Sequence, residues 1–122
     1  GTRVCIAWNG TAESAASVWA ALPWMQKAEA VRVLSADEYQ RRGPGAADLQ
    51  AYLSLHGITA ELATFRPHDR DVGAGLLKAA AEFNSDLLCM GAYSHSRLRQ
   101  LILGGVTRHV LEHATIPVMM TR

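Results

Sequence analysis

Short apolar runs that alternate with stretches of helical periodicity restrict this chain to one class of fold. Val4-Cys5-Ile6-Ala7-Trp8 is apolar throughout and breaks at Asn9-Gly10-Thr11, the pattern of a strand buried on both faces that ends in a tight turn. Val31 to Leu34 is a second such run, and Leu87-Leu88-Cys89-Met90, which stops at Gly91, is another. Strands of this kind belong to parallel sheets, where helices cover both faces. Ile58 to Thr64 instead alternates Ile, Ala, Leu, Thr with Thr, Glu, Ala, which marks a half-exposed edge strand. Ile116-Pro117-Val118-Met119-Met120-Thr121 reads as a terminal strand opened by its proline.

The intervening segments have helical spacing. Thr11 is a plausible N-cap, and Ala15, Val18, Trp19 and Leu22 form one apolar stripe behind it, with Pro23 marking a kink or an early end. Leu49, Tyr52, Leu53 and His56 share a face that Gly57 closes as a C′ residue. A third helix is predicted from Asp71 to Asn84 with Val72, Leu76, Ala80 and Phe83 inward, and a last one with Thr107, Val110, Leu111 and Ala114 inward. Strands that alternate with helices predict an α/β three-layer sandwich, a five-stranded parallel sheet with right-handed crossovers and helices on both faces. With the most apolar strands central, the strand order is 3-2-1-4-5. That order puts the topological switch between strands one and four, where ligands of open α/β sheets bind beyond the carboxyl ends of the strands.

The 122 residues, 49% of them hydrophobic, predict a single domain over residues 1–122 that buries a core without disulfides or a structural metal. Arg41-Arg42-Gly43-Pro44-Gly45 is a turn-rich loop too short to link domains. Twelve basic against eleven acidic residues leave a formal charge of +1, so no long-range field draws in nucleic acid or an anionic membrane. Cys5 and Cys89 sit inside apolar runs without ligand spacing and read as small buried hydrophobes. No run reaches the ~18 apolar residues of a membrane span and no basic-then-apolar signal opens the chain, so a cytoplasmic protein is expected.

One segment carries chemistry. From Met90 the chain reads MGAYSHSRLRQLILGGVTRHVLEH, in which a small-residue loop leaves a buried strand and a Gly-Gly pair opens a helix. Glycines let a backbone approach an anion, and the first N–H groups of a helix point at negative charge. Gly104, Gly105, Val106 and Thr107 would supply amides, Thr107 a hydroxyl, and Arg97 and Arg99 neutralising charge. A glycine pair also caps helices or allows close packing, so spacing alone leaves both readings open.

This segment resembles the signature of the universal stress protein family: G-x-x-G, nine residues, then G-[ST], followed by V-T and an amphipathic helix that ends in an x-P-V strand. The opening VCIAWNGTAESA is similar to the family's first strand and turn, and NSDLLCMGAYSHS to its fourth strand and loop. The resemblance implies an adenine nucleotide alpha hydrolase-like fold and a stress-response domain that binds ATP, with Mg as a possible companion ion. It implies a nucleotide site at Ala7, Asn9, Ala36, Met90, Gly91, Ser94, Gly104, Gly105, Val106 and Thr107, with His95 and Arg97 as phosphate-neutralising candidates. Ala36, just past strand two, matches the position whose backbone meets adenine. Three residues depart from the pattern: Ser94 stands for the second glycine, Gly105 for Ser or Thr, and Asn9 for the Asp that lies near the ribose. Asn9 is equally a turn former before Gly10.

The resemblance also implies pairing through Val118, Met119 and Met120, as a homodimer or with a fused partner half, and the short second crossover resembles the C-terminal half of a tandem member. The alternative reading is a nucleotide-independent pairing module with a degenerate ATP motif, its pocket partly filled by Ser94. No Ser or Cys stands in a nucleophile motif and Asn9 removes a general base, so an enzyme is not expected beyond slow ATP hydrolysis. His109 and His113 are four apart, but the Val110, Leu111 and Ala114 stripe turns them outward and no third ligand is evident, so no metal site is predicted.

Overall fold

The computed structural model describes residues 2–36, 45–91 and 105–121. Along the chain these form β1 (Arg3–Ala7), α1 (Ala12–Gln26), β2 (Ala30–Ala36), α2 (Ala46–Leu55), β3 (Ala60–Phe65), α3 (Val72–Glu82), β4 (Leu87–Gly91), α4 (Gly105–His113) and β5 (Val118–Thr121). All pairings are parallel and the order is β3-β2-β1-β4-β5, as the distribution of apolar residues predicts. The predicted edge strand does lie at the edge, though it starts at Ala60 because Ile58 is spent in the turn, where its N–H donates to Leu53 O at 3.0 Å.

Alternate residues of the central strands serve two separate cores. Val4, Ile6, Val31, Val33 and Cys89 face Val18, Ala21, Leu22 and Met25 of α1 and Leu49 and Leu53 of α2. Cys5, Leu34, Leu88 and Met90 face Leu76 and Ala80 of α3, Phe83 and Val110 of α4. The period of two in a strand explains why these runs are apolar at every position. Both cysteines are free and buried. Burial pushes the Cys5 thiol up to about 11, and burial with the neighbouring Cys5 pushes Cys89 up to about 12.

Local signals account for most boundaries. Thr11 caps α1, its Oγ1 accepting from Ser14 N at 3.3 Å, and Asp71 caps α3, its Oδ1 accepting from Ala74 N at 3.1 Å. Gly57, at φ 76°, closes α2 and Asn84, at φ 57°, closes α3. Phe83 is 1% exposed and lies against two guanidinium groups, Arg3 at 4.2 Å and Arg32 at 4.3 Å from its ring centre.

The structure corrects several sequence expectations. Pro23 neither ends nor interrupts α1, which continues to Gln26 with Pro23 on its exposed side. Trp19 is not part of the buried stripe: it is 63% exposed, and Ser14, Ser17, Val18, Ala21, Leu22 and Met25 face the sheet instead. The small residues on that face allow a close approach, and the Ser17 hydroxyl satisfies itself on Ser14 O at 2.7 Å. Leu111 is likewise exposed, because α4 meets α3 through Val110 and Val106. Ala36 belongs to β2, paired with Phe65, and β5 begins only at Val118, Pro117 contributing its carbonyl to Leu88 N at 3.1 Å.

Candidate functional site

The carboxyl ends of β1 and β4 lie side by side at the switch in strand order. Their registered pairs, Val4 with Leu87, Cys5 with Leu88 and Ile6 with Cys89, bring Ala7 at the end of β1 and Met90-Gly91 at the end of β4 to the same edge of the sheet. Ala36 ends β2 at that edge too, two residues past the Leu34 partner of Ala7. Trp8, 7% exposed, ties the turn to the sheet through its N–H on Leu34 O at 2.9 Å. Gly105 and Val106 open α4, the next described helix after β4, and Thr107 behind them is buried. The structure thus brings Ala7, Asn9, Ala36, Met90 and Gly91 to the ends of three adjacent strands and sets Gly105, Val106 and Thr107 in the helix start. Ser94, His95, Arg97, Arg99 and Gly104 lie outside the described residues.

The Asn9-Gly10-Thr11 turn is built on the Asn9 side chain. Its Oδ1 accepts from Thr11 N at 3.1 Å and from Thr11 Oγ1 at 2.7 Å, and Gly10 takes φ 78°, a conformation that costs glycine nothing. A backbone N–H can only donate, so the atom that faces Thr11 is the amide oxygen and Nδ2 is turned the other way. Asn9 is exposed, and no described residue accepts from that Nδ2. The turn-former reading of Asn9 is therefore part of its role, and its Nδ2 takes no part in the turn.

Gly91 meets α1. A Cβ built there would lie 2.6 Å from Glu13 C, Glu13 Cβ and Ser14 N, so only glycine lets the end of β4 come this close to the first turn of that helix. Thr121, paired with Gly91 across β4 and β5, donates its hydroxyl to Glu13 O at 3.0 Å. The first turn of α1 is thereby held from two strands, with Glu13 6% exposed beneath the turn. The sequence reading missed Glu13 and Thr121. It gave Glu13 no role, and it took Gly91 as a motif glycine rather than as the mark of a close neighbour.

His109 is a second correction. It is half-buried rather than solvated: its Nδ1 lies 3.1 Å from Asp71 Oδ2, its ring stacks on His113 at 4.2 Å, and Gly73 leaves it room on α3. The outward prediction placed it by the stripe on α4 alone and could not see α3 packed alongside. Among the described residues no three His, Cys, Asp or Glu side chains converge as a metal site.

A sequence profile described as the universal stress protein family matches residues 4–122. The chain belongs to the universal stress protein family. A curated universal stress protein of Synechocystis, Slr1230, is 51% identical over 37 residues, a stretch that spans 30% of this chain and 13% of that protein. The structure of a universal stress protein in complex with cAMP superposes with a TM-score of 0.71 at 19% identity, covering 99% of this chain and 97% of that one. Another from Archaeoglobus fulgidus gives 0.73 at 18% identity, with 98% of this chain covering 43% of it. At such identities the likeness establishes the fold, which these universal stress proteins share over the full described sheet. No described helix of this chain is long and apolar enough to cross a membrane.

Proposed function

We propose that this universal stress protein chain is a stress-response domain that binds an adenine nucleotide, ATP first among them, in the crevice past the ends of β1 and β4. The observation that carries the reading is the pairing of β1 with β4 at the switch in strand order, which sets the Asn9-Gly10-Thr11 turn beside the end of β4 at Gly91, with Val106 of α4 packed on the same core as Ala7 and Met90. A helix start and an amide donor suit phosphate and sugar oxygens, and crevices at a strand-order switch are where open α/β sheets take ligands. The cAMP held by the superposed relative supports adenine as the base. Ala36 is assigned to the adenine end, Gly105, Val106 and Thr107 to the phosphate end together with Gly104, Ser94, His95 and Arg97.

Titration calorimetry with ATP and with cAMP, each with and without magnesium, tests the reading. Saturable heat and a raised melting temperature are expected, and neither heat nor thermal shift at millimolar nucleotide would overturn it. No turnover beyond slow ATP hydrolysis is assigned to the site, and phosphate release from ATP at ordinary enzymatic rates would refute that part.

The same reading has the domain act in pairs through Val118, Met119 and Met120. Among the described residues β5 pairs with β4 alone and its residues are half-buried, so its outer edge suits pairing with a second copy or a fused half. Sedimentation velocity over a range of concentrations decides this, and a monomer throughout would rule out self-pairing.

A further inference from the structure

His109 and His113 stand one turn apart on α4, and their rings stack with centres 4.2 Å apart and planes 21° from parallel. One nitrogen of each ring is already engaged. His109 Nδ1 lies 3.1 Å from Asp71 Oδ2, and His113 Nδ1 lies 3.0 Å from His109 O. A carboxylate and a carbonyl oxygen can only accept, so the proton of each neutral imidazole sits on Nδ1 and the lone pair is left on Nε2. Asp71 is itself fixed, because its other oxygen caps α3 by accepting from Ala74 N at 3.1 Å. Gly73 admits the close approach of the two helices, since a Cβ there would come 2.8 Å from His109 Cβ. His113 is exposed and the His109 side chain keeps 21% of its surface, so the pair is open to solvent.

We infer that His109 and His113 form a two-imidazole site for a divalent transition-metal ion, bound through the two Nε2 atoms with water completing its shell. Histidines at i and i+4 on one helix face have the spacing that lets two imidazoles share an ion. Metal-binding histidines hand their other ring nitrogen to a carboxylate or a backbone carbonyl, which fixes the tautomer and strengthens the donor. Asp71 and the His109 carbonyl are those two supports. Two bonds of ~2.1 Å at a tetrahedral angle set the nitrogens about 3.3 Å apart, roughly 1 Å closer than the ring centres now stand, a change that side-chain rotation supplies. The donor set selects the ion. Imidazole suits Zn²⁺, Ni²⁺ and Cu²⁺, whereas Ca²⁺ and Mg²⁺ require oxygen ligands. Among the described residues no third His, Cys, Asp or Glu joins the pair, which makes this an open site with exchangeable positions and not a closed structural one. The inference stands independently of the nucleotide reading.

Titration calorimetry of the parent chain with Zn²⁺ and with Ni²⁺, without nucleotide, tests this. Saturable binding with a dissociation constant in the micromolar range is expected. His113→Ala leaves one imidazole and is expected to weaken binding on the order of a hundredfold, because the second bond of the parent forms to an ion already held by the first. Asp71→Asn keeps a capping oxygen but not the charge that orients His109, and is expected to weaken binding about tenfold with the metal-free melting temperature unchanged. His56→Ala, on α2 across the sheet, is expected to change affinity by less than about twofold. Absence of saturable heat with both ions at millimolar metal overturns the inference. So does binding that keeps its parent strength in both His109→Ala and His113→Ala, or that falls with His56→Ala instead. An Asp71→Asn chain that binds as tightly as the parent overturns the role of Asp71 as the positioning residue of the site. The parent titration needs no variant, and His113 is exposed, so the inference stands or falls without a change to the core.

Discussion

Gly91→Ala separates two reasons for a glycine at the end of β4. If Gly91 served only to let a phosphate approach, an alanine would leave the unliganded fold intact, and in a strand it would even gain roughly 0.5–1 kcal/mol in backbone entropy. The structure predicts the opposite sign. The added carbon would sit 2.6 Å from three atoms of α1, short of ordinary 3.4 Å contact by about 0.8 Å. Two of the three are backbone atoms of a first turn held by the Thr11 cap and the Thr121 hydroxyl, so the helix must move as a unit. Overpacking of this kind costs about 1–3 kcal/mol, and the rigid neighbours place this case at about 2–3. For a chain of this size that is a fall of roughly 6–15 °C in melting temperature. Thermal and urea unfolding followed by far-UV circular dichroism, without nucleotide, measure it. A melting temperature equal to or above that of the parent would refute the contact between β4 and α1, and would return Gly91 to a purely ligand-facing role.

Two further outcomes follow from the cores. Phe83→Ala removes a ring that is 1% exposed and lies against Arg3 and Arg32, and should cost about 3–5 kcal/mol in urea unfolding; a loss under about 1 kcal/mol would show that the ring is not packed there. The buried thiols set an alkaline limit. Their folded values, about 11 and about 12, lie above the ordinary 9.0, so the folded state keeps protons that the unfolded chain releases. Their contribution is complete below pH 9 and is lost as pH rises toward those folded values, by up to about 1.4 kcal/mol per pH unit for each thiol. Urea midpoints should fall across that window, and a Cys5→Ala/Cys89→Ala chain should show a shallower fall; identical slopes would exclude the thiols as the cause.

What could be read from the residues alone was the sheet. Strands buried on both faces must be apolar at every position, and an edge strand need be so only at alternate ones. Val4–Trp8, Leu87–Met90 and the alternation after Ile58 therefore carried the strand order 3-2-1-4-5 and the position of the crevice with it. Caps were equally legible at Thr11 and Gly57, because a cap depends on a few consecutive residues. Helix rotation was not. The α1 sequence AESAASVWAALPWMQ has apolar residues all round, so composition cannot say that Ser14 and Ser17 go inward while Trp19 and Trp24 stay out. Only the close approach to the sheet decides it, by favouring small side chains on that face. The same holds for the site. The residues at its edge were visible as a motif, but Gly91 is glycine because Glu13 and Ser14 press on it from α1. Asn9 presents a donor because Thr11 takes its oxygen. Contacts between residues distant in sequence, such as Gly91 and Thr121 with Glu13, leave no local pattern, and for that reason tertiary structure alone revealed them.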